Sequence, residues 1–89
     1  MKLTDLVRMH GFEPSDMAQI KDAKLYERDN GNLVSEFLCV QKIGNIMKVS
    51  RIALQVLPQL IIPLGTPVDK IVPKEELVAY LKLTLTPAR

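Results

Sequence analysis

Hydrophobic and polar positions along this chain change period several times, and each change predicts an element. Leu3, Leu6, Val7 and His10 share one helical stripe, with Thr4 placed to cap it, Asp5 near its positive end and Gly11 able to stop it. That spacing predicts a helix of at most two turns. After Pro14, Ser15 or Asp16 offers another cap, and Met17, Ile20 and Ala23 recur at helical spacing through Lys24. Helices this short are marginal alone, so both are expected to lie on a sheet.

The sharpest local signal is Asp29-Asn30-Gly31-Asn32, because Asn-Gly tolerates the positive φ angles of a two-residue hairpin loop. Strands at about 24–29 and 32–40 should pair there, a hairpin over 24–40 in which Tyr26 faces Ser35, Arg28 faces Leu33 and Leu25 faces Glu36. Beyond Glu36 the second strand is apolar on both sides, through Phe37, Leu38, Cys39 and Val40. A strand of that kind belongs in the middle of a sheet or beneath a second subunit.

Between Asn45 and Leu57 the helical template fits better than the strand template. Ile46, Val49, Ala53, Val56 and Leu57 gather on one helical face, with Lys48, Arg51 and Gln55 opposite, whereas neither strand face is one-sided. A helix at about 46–57 follows, capped by Asn45 and ended by Pro58, against the weak resistance of the β-branched Val49, Ile52 and Val56. Prolines 58, 63, 67 and 73 exclude helix from 58 to 72 and leave room for short strands at 59–62 and 68–72 around Gly65-Thr66-Pro67. Pro73 with Lys74-Glu75-Glu76 resembles a helix first turn. Against that, Leu77, Ala79, Leu81, Leu83 and Leu85 alternate without a break, which predicts a C-terminal strand over 77–86. The fold class expected is therefore α+β: a small, mostly antiparallel sheet, one helix at about 46–57 and short N-terminal helices.

The chain ends Leu83-x-Leu85-x-Pro87-Ala88-Arg89. These residues resemble the closing strand of the small single-stranded-DNA-binding proteins of filamentous phages, which are similar in length. The resemblance implies a β-barrel dimer that binds single strands. It covers seven residues and carries over no binding residue, and the sequence departs from that pattern in its helical first 24 residues and its scarce aromatics.

Composition narrows the function classes. Eighty-nine residues make one domain spanning 1–89, and 47% apolar with 25% charged residues is a globular balance. Without tryptophan, and with only Phe12, Phe37, Tyr26 and Tyr80 as aromatics, the core must be aliphatic, and self-association is a natural way to finish burying it. A formal charge of +2 is too small to imply a polyanion partner by itself. Its distribution is uneven: residues 1–36 carry five bases and seven acids, while 37–68 hold no acid and only Lys42, Lys48 and Arg51. The single Cys39 and the lack of a signal sequence predict a reducing, cytoplasmic setting, and the apolar run Ile52 to Leu64, 13 residues broken by Pro58 and Pro63, is too short for a membrane span.

No side-chain combination names a reaction. Cys39 sits in an apolar strand run, where a thiol behaves as a buried hydrophobe, and His10 ends a short helix, so a Cys39–His10 dyad is disfavoured. The two are separated by 28 residues and form no metal-ligand pair. Glu75-Glu76 would point to opposite faces of a strand, and Gly11, Gly31, Gly44 and Gly65 make no phosphate cradle. The expectation is a protein that is not an enzyme, needs no cofactor or metal, and acts as an intracellular interaction or regulatory module, a homodimer that binds a further protein through its surface. The alternative is a nucleic-acid binder or small DNA-binding regulator, with Lys42, Lys48 and Arg51 meeting phosphates and Tyr26 or Tyr80 stacking on bases.

Overall fold

The computed structural model describes residues 2–17 and 19–85. Its architecture is α+β: a six-stranded antiparallel sheet with one helix near each end of the chain. In order these are α1 (Leu3–Met9), β1 (Glu13–Pro14), β2 (Ala23–Asp29), β3 (Val34–Ile43), β4 (Ile46–Leu57), β5 (Leu60–Pro63), β6 (Val68–Pro73), a 3₁₀ turn at Lys74–Glu76, and α2 (Leu77–Thr84). Strands β1 to β5 follow one another across the sheet. β6 then returns to the same edge of β4 that β5 occupies, so β5 borders residues 54–57 and β6 borders residues 46–51.

Helix α1 is the predicted one, but it begins at Leu3 with Lys2 at its cap position, so Thr4 lies inside it and does not cap it. Gly11, at φ +87, turns the chain out of it, and the amides of His10, Gly11 and Phe12 bond back to Val7 and Arg8 carbonyls. The second N-terminal helix is absent: residues 15–22 form no regular element among those described, and Ala23 already belongs to β2. Ser15 Oγ accepts the Met17 amide in a local turn, and Met17 and Ile20 stay exposed, so the helical spacing found no surface to bury against.

The first hairpin forms, with a longer loop and another register. Asp29 faces Ser35, Arg28 faces Glu36 and Tyr26 faces Leu38. Asp29 Oδ1 accepts the Gly31 amide, and Gly31, Asn32 and Leu33 all take positive φ, which lengthens the loop beyond the two residues expected. A shift of three residues is odd, so it exchanges the faces of β3: Glu36, Leu38 and Val40 join Tyr26, and Phe37 and Cys39 join Leu25.

The segment 46–57 is a strand where a helix was predicted, and 77–86 begins with a helix where a strand was predicted. Two-residue loops at Gly44-Asn45 and Pro58-Gln59 tie β4 between β3 and β5, and positive φ confined to Gly44 (+61) suits a type II′ turn. Asn45 thus serves a hairpin, not a helix cap. In α2 only Leu77 and Leu81 are buried, with Leu85 just beyond, while Leu83 is 87% exposed. The core is one cluster: Leu6 and Val7 of α1, Phe12, and Leu77, Leu81 and Leu85 pack on Tyr26, Leu38, Val40, Val49 and Val72. Both helices therefore cover the same side of the sheet.

Candidate functional site

Alternation along each strand divides the sheet into a helix side and an open side. On the helix side, register places Arg28, Glu36 and Ala53 in one row and Leu38 and Arg51 in the next. Glu36 reaches both cations: Arg28 at 2.5 Å and Arg51 at 3.2 Å. Arg28 also donates to the His10 carbonyl at 2.8 Å, just past α1, and its guanidinium lies 4.6 Å from the centre of the Phe12 ring. Arg51 donates to the Thr84 carbonyl at 3.1 Å, the last residue of α2. One carboxylate thus holds two arginines that each fasten the C-terminal end of a helix, where the backbone dipole favours positive charge. No periodic cue foretells this network, because Arg28, Glu36 and Arg51 are remote in the chain and meet only in the observed register.

The open side carries Leu25, Phe37, Cys39, Ser50, Ile52, Leu54, Val56 and Ile61, with Glu27 and Asp29 on β2 and Asp69 on β6 at its margins and Lys48 on the interior strand β4. No described helix covers it. Phe37 is nevertheless only 4% exposed while standing outside the main core cluster, so its neighbours on this face close over it. Burial also pushes the Cys39 thiol above its usual pKa, against a smaller downward pull from the Lys48 ammonium, and so favours the protonated, unreactive form.

Past Arg51 the β4–β5 hairpin becomes an arm, and both of its faces are apolar. Leu54, Val56 and Ile61 lie on the open side; Ala53, Leu57, Leu60 and Ile62 lie on the other, with Gln55 the one polar side chain among them. Leu60 and Ile61 are 57% and 48% exposed, and Leu64 and the adjoining Leu33, whose carbonyl accepts the Val56 amide, are exposed too. No residue from 52 to 68 is charged. That charge-free run was the available signal, and the strand assignment is what turns it into a surface.

The residues expected to meet nucleic acid are dispersed. Lys48 faces the open side and Arg51 the helix side, where Glu36 and Thr84 engage it. Lys42 stands near the β3–β4 turn on the helix side, exposed. Tyr26 is buried in the core with its hydroxyl 3.2 Å from Thr4 Oγ1, and Tyr80 on α2 packs partly against the core. The five share no surface. His10 and Cys39 are likewise apart, the first beyond α1 on the helix side, the second on the open side. A cleft of about 510 Å³ runs along the outer edge of β2, between Pro14–Asp16 and Ile20–Leu25, with Asp16 and Lys24 exposed to solvent. The likeness of the C-terminus to a closing strand does not survive at Leu83, which is helical, and residues 86–89 lie outside those described. No described helix is long and apolar enough to cross a membrane. Comparison with protein-family models, curated proteins and solved structures finds no match.

Proposed function

We propose that this chain is a non-catalytic interaction module that works by docking a macromolecule on the open side of its sheet. The observation that supports this reading is the one-sided sheet: both helices lie on the same face, and the other presents Leu25, Ile52, Leu54 and Val56, with Glu27, Asp29 and Asp69 at its margins. An uncharged centre with a polar rim is the anatomy of a protein–protein interface, not of a phosphate-binding groove. The nucleic-acid alternative lacks such support, since Lys42, Lys48 and Arg51 do not converge.

A photo-crosslinking residue placed at Ile52, on the open side, and separately at Lys82, on the exposed side of α2, tests the reading in the cells that make the protein. Adducts from position 52 and none from position 82 are expected. A chain that forms none from 52 does not act through this face.

A further inference from the structure

We infer that the macromolecule covering the β4–β5 arm is a second copy of this chain, so that the protein is a two-fold dimer joined through residues 52–64. The inference rests on the module reading above and names its partner. Three observations carry it.

The arm is uncharged and largely apolar on both faces, with Leu54, Val56 and Ile61 on one and Leu57, Leu60 and Ile62 beside Gln55 on the other. A flat partner or a lipid surface would cover one face and leave the other wet. A second arm laid along β5 about a two-fold axis instead adds apolar neighbours beside the side chains of both faces at once, and continues onto the adjoining open side at Ile52.

Charge then separates the candidate contacts. A two-fold interface sets each patch against itself, so any charge near the axis meets its own copy. Around the arm there is none, because residues 52–68 are uncharged. The Leu64 amide donates to the Ala53 carbonyl at 2.9 Å, which fixes the alternation along β5 and points the backbone N–H and C=O of Ile61 outward. Two β5 edges meeting at Ile61 therefore set Leu60 against Ile62 and no charge against its own copy. The neighbouring β6 edge is the opposite case: a two-fold centred on Asp69 or on Lys70 places like charges face to face, and Pro67 and Pro73 bracket the strand. Short, charged and proline-flanked, β6 has the features that protect an edge from pairing.

Size is the third point. A standard interface takes ~800 Å² from each partner, which is about an eighth of the 6148 Å² this chain exposes. Leu60, Ile61 and Leu64 are exposed and residues 52–57 half-buried, so the arm has apolar surface to contribute, and the open side adds to it.

Sedimentation velocity on the purified native chain over a wide concentration range is the test, with Ile61→Lys as the disrupting variant and Val68→Lys, an exposed β6 site, as the control. Both positions are exposed, so circular dichroism should show all three proteins folded alike. The native chain and Val68→Lys should sediment as dimers, and Ile61→Lys should self-associate at least ~10-fold more weakly, because the added ammonium meets its copy at the contact. A native chain that stays monomeric at every concentration, or an Ile61→Lys variant that dimerises as tightly as the native one, overturns the inference. A monomer that still gives adducts from position 52 with another protein leaves the module reading standing. A dimer whose position 52 captures nothing, a second copy included, removes that reading and the 52–64 contact with it.

Discussion

At the scale of single residues, Glu36 has the largest leverage. Its two oxygens hold Arg28 and Arg51, and through them the ends of both helices. Breaking a fully buried ion pair costs ~3–5 kcal/mol; this network keeps some contact with water, so Glu36→Ala should cost ~2–4 kcal/mol by urea denaturation. The Arg8–Glu13 pair is solvent-exposed on both sides, and Arg8→Ala should change stability by no more than ~0.5 kcal/mol. If the two variants prove equally stable, the network does not carry the helices. Arg51 belongs to the same network, so any loss of oligonucleotide binding in Arg51→Ala has to be separated from loss of fold, whereas Lys48→Ala is free of that ambiguity. Cys39 gives a pH-dependent prediction. Its folded-state pKa is raised, so the folded chain holds the proton more tightly than the unfolded chain. The stability this contributes is complete below the unfolded thiol's pKa and is lost as pH rises through the folded value. Urea midpoints should therefore fall on the alkaline side, and Cys39→Ala should reduce that fall. Lys48→Ala removes the one downward pull, so alkylation of Cys39 at neutral pH should become slower; a faster reaction would contradict the assignment of cause.

At the scale of elements, Leu33 is the residue whose backbone conflicts with its type. It sits at φ +63, a region in which a bulky side chain is a genuine outlier and asparagine is enriched, and its side chain is 59% exposed, so little burial is lost on replacement. Leu33→Asn should stabilise the β2–β3 hairpin by ~0.5–1 kcal/mol, read as a higher Tm; a lower Tm would mean the exposed leucine contributes a contact of its own. The same loop explains one part of what the sequence concealed. Asn30-Gly31 marks the hairpin correctly, but the register depends on the tertiary pairs Arg28–Glu36 and Tyr26–Leu38, which no local rule contains. In β4 the helical pattern was real and uninformative: a strand flanked on both edges and apolar on much of both faces has no clean alternation, and the β-branched Val49, Ile52 and Val56 were the better guide. In α2 the run Leu77, Ala79, Leu81, Leu83, Leu85 contains a period of four inside its period of two. The helix buries 77, 81 and 85 and leaves 79 and 83 to solvent, as the first-turn signal at Pro73–Glu76 indicated.

At the scale of the whole molecule, the α+β class was legible because hairpin chemistry, proline spacing and the short amphipathic α1 constrain it independently. The candidate surface was legible only as a property of the sequence, an apolar and charge-free run, until the strand assignment showed that it has two sides and extends beyond the helices. This matters for stability as well as for contact. A domain of 89 residues hides only ~60% of the surface its unfolded chain would expose, so a large apolar arm left in water subtracts from a small total. If a second copy covers the arm, folding and association are linked, and the midpoint of thermal unfolding must rise with protein concentration, because dimerisation draws on the folded state alone. Scanning calorimetry at dilute and concentrated protein should then give a higher Tm in the concentrated sample for the native chain and for Val68→Lys, and a smaller rise for Ile61→Lys over the same range. A native Tm that does not move with concentration, in a sample shown to be monomeric, would mean that the helix-side core and the Glu36 network suffice to hold the sheet by themselves.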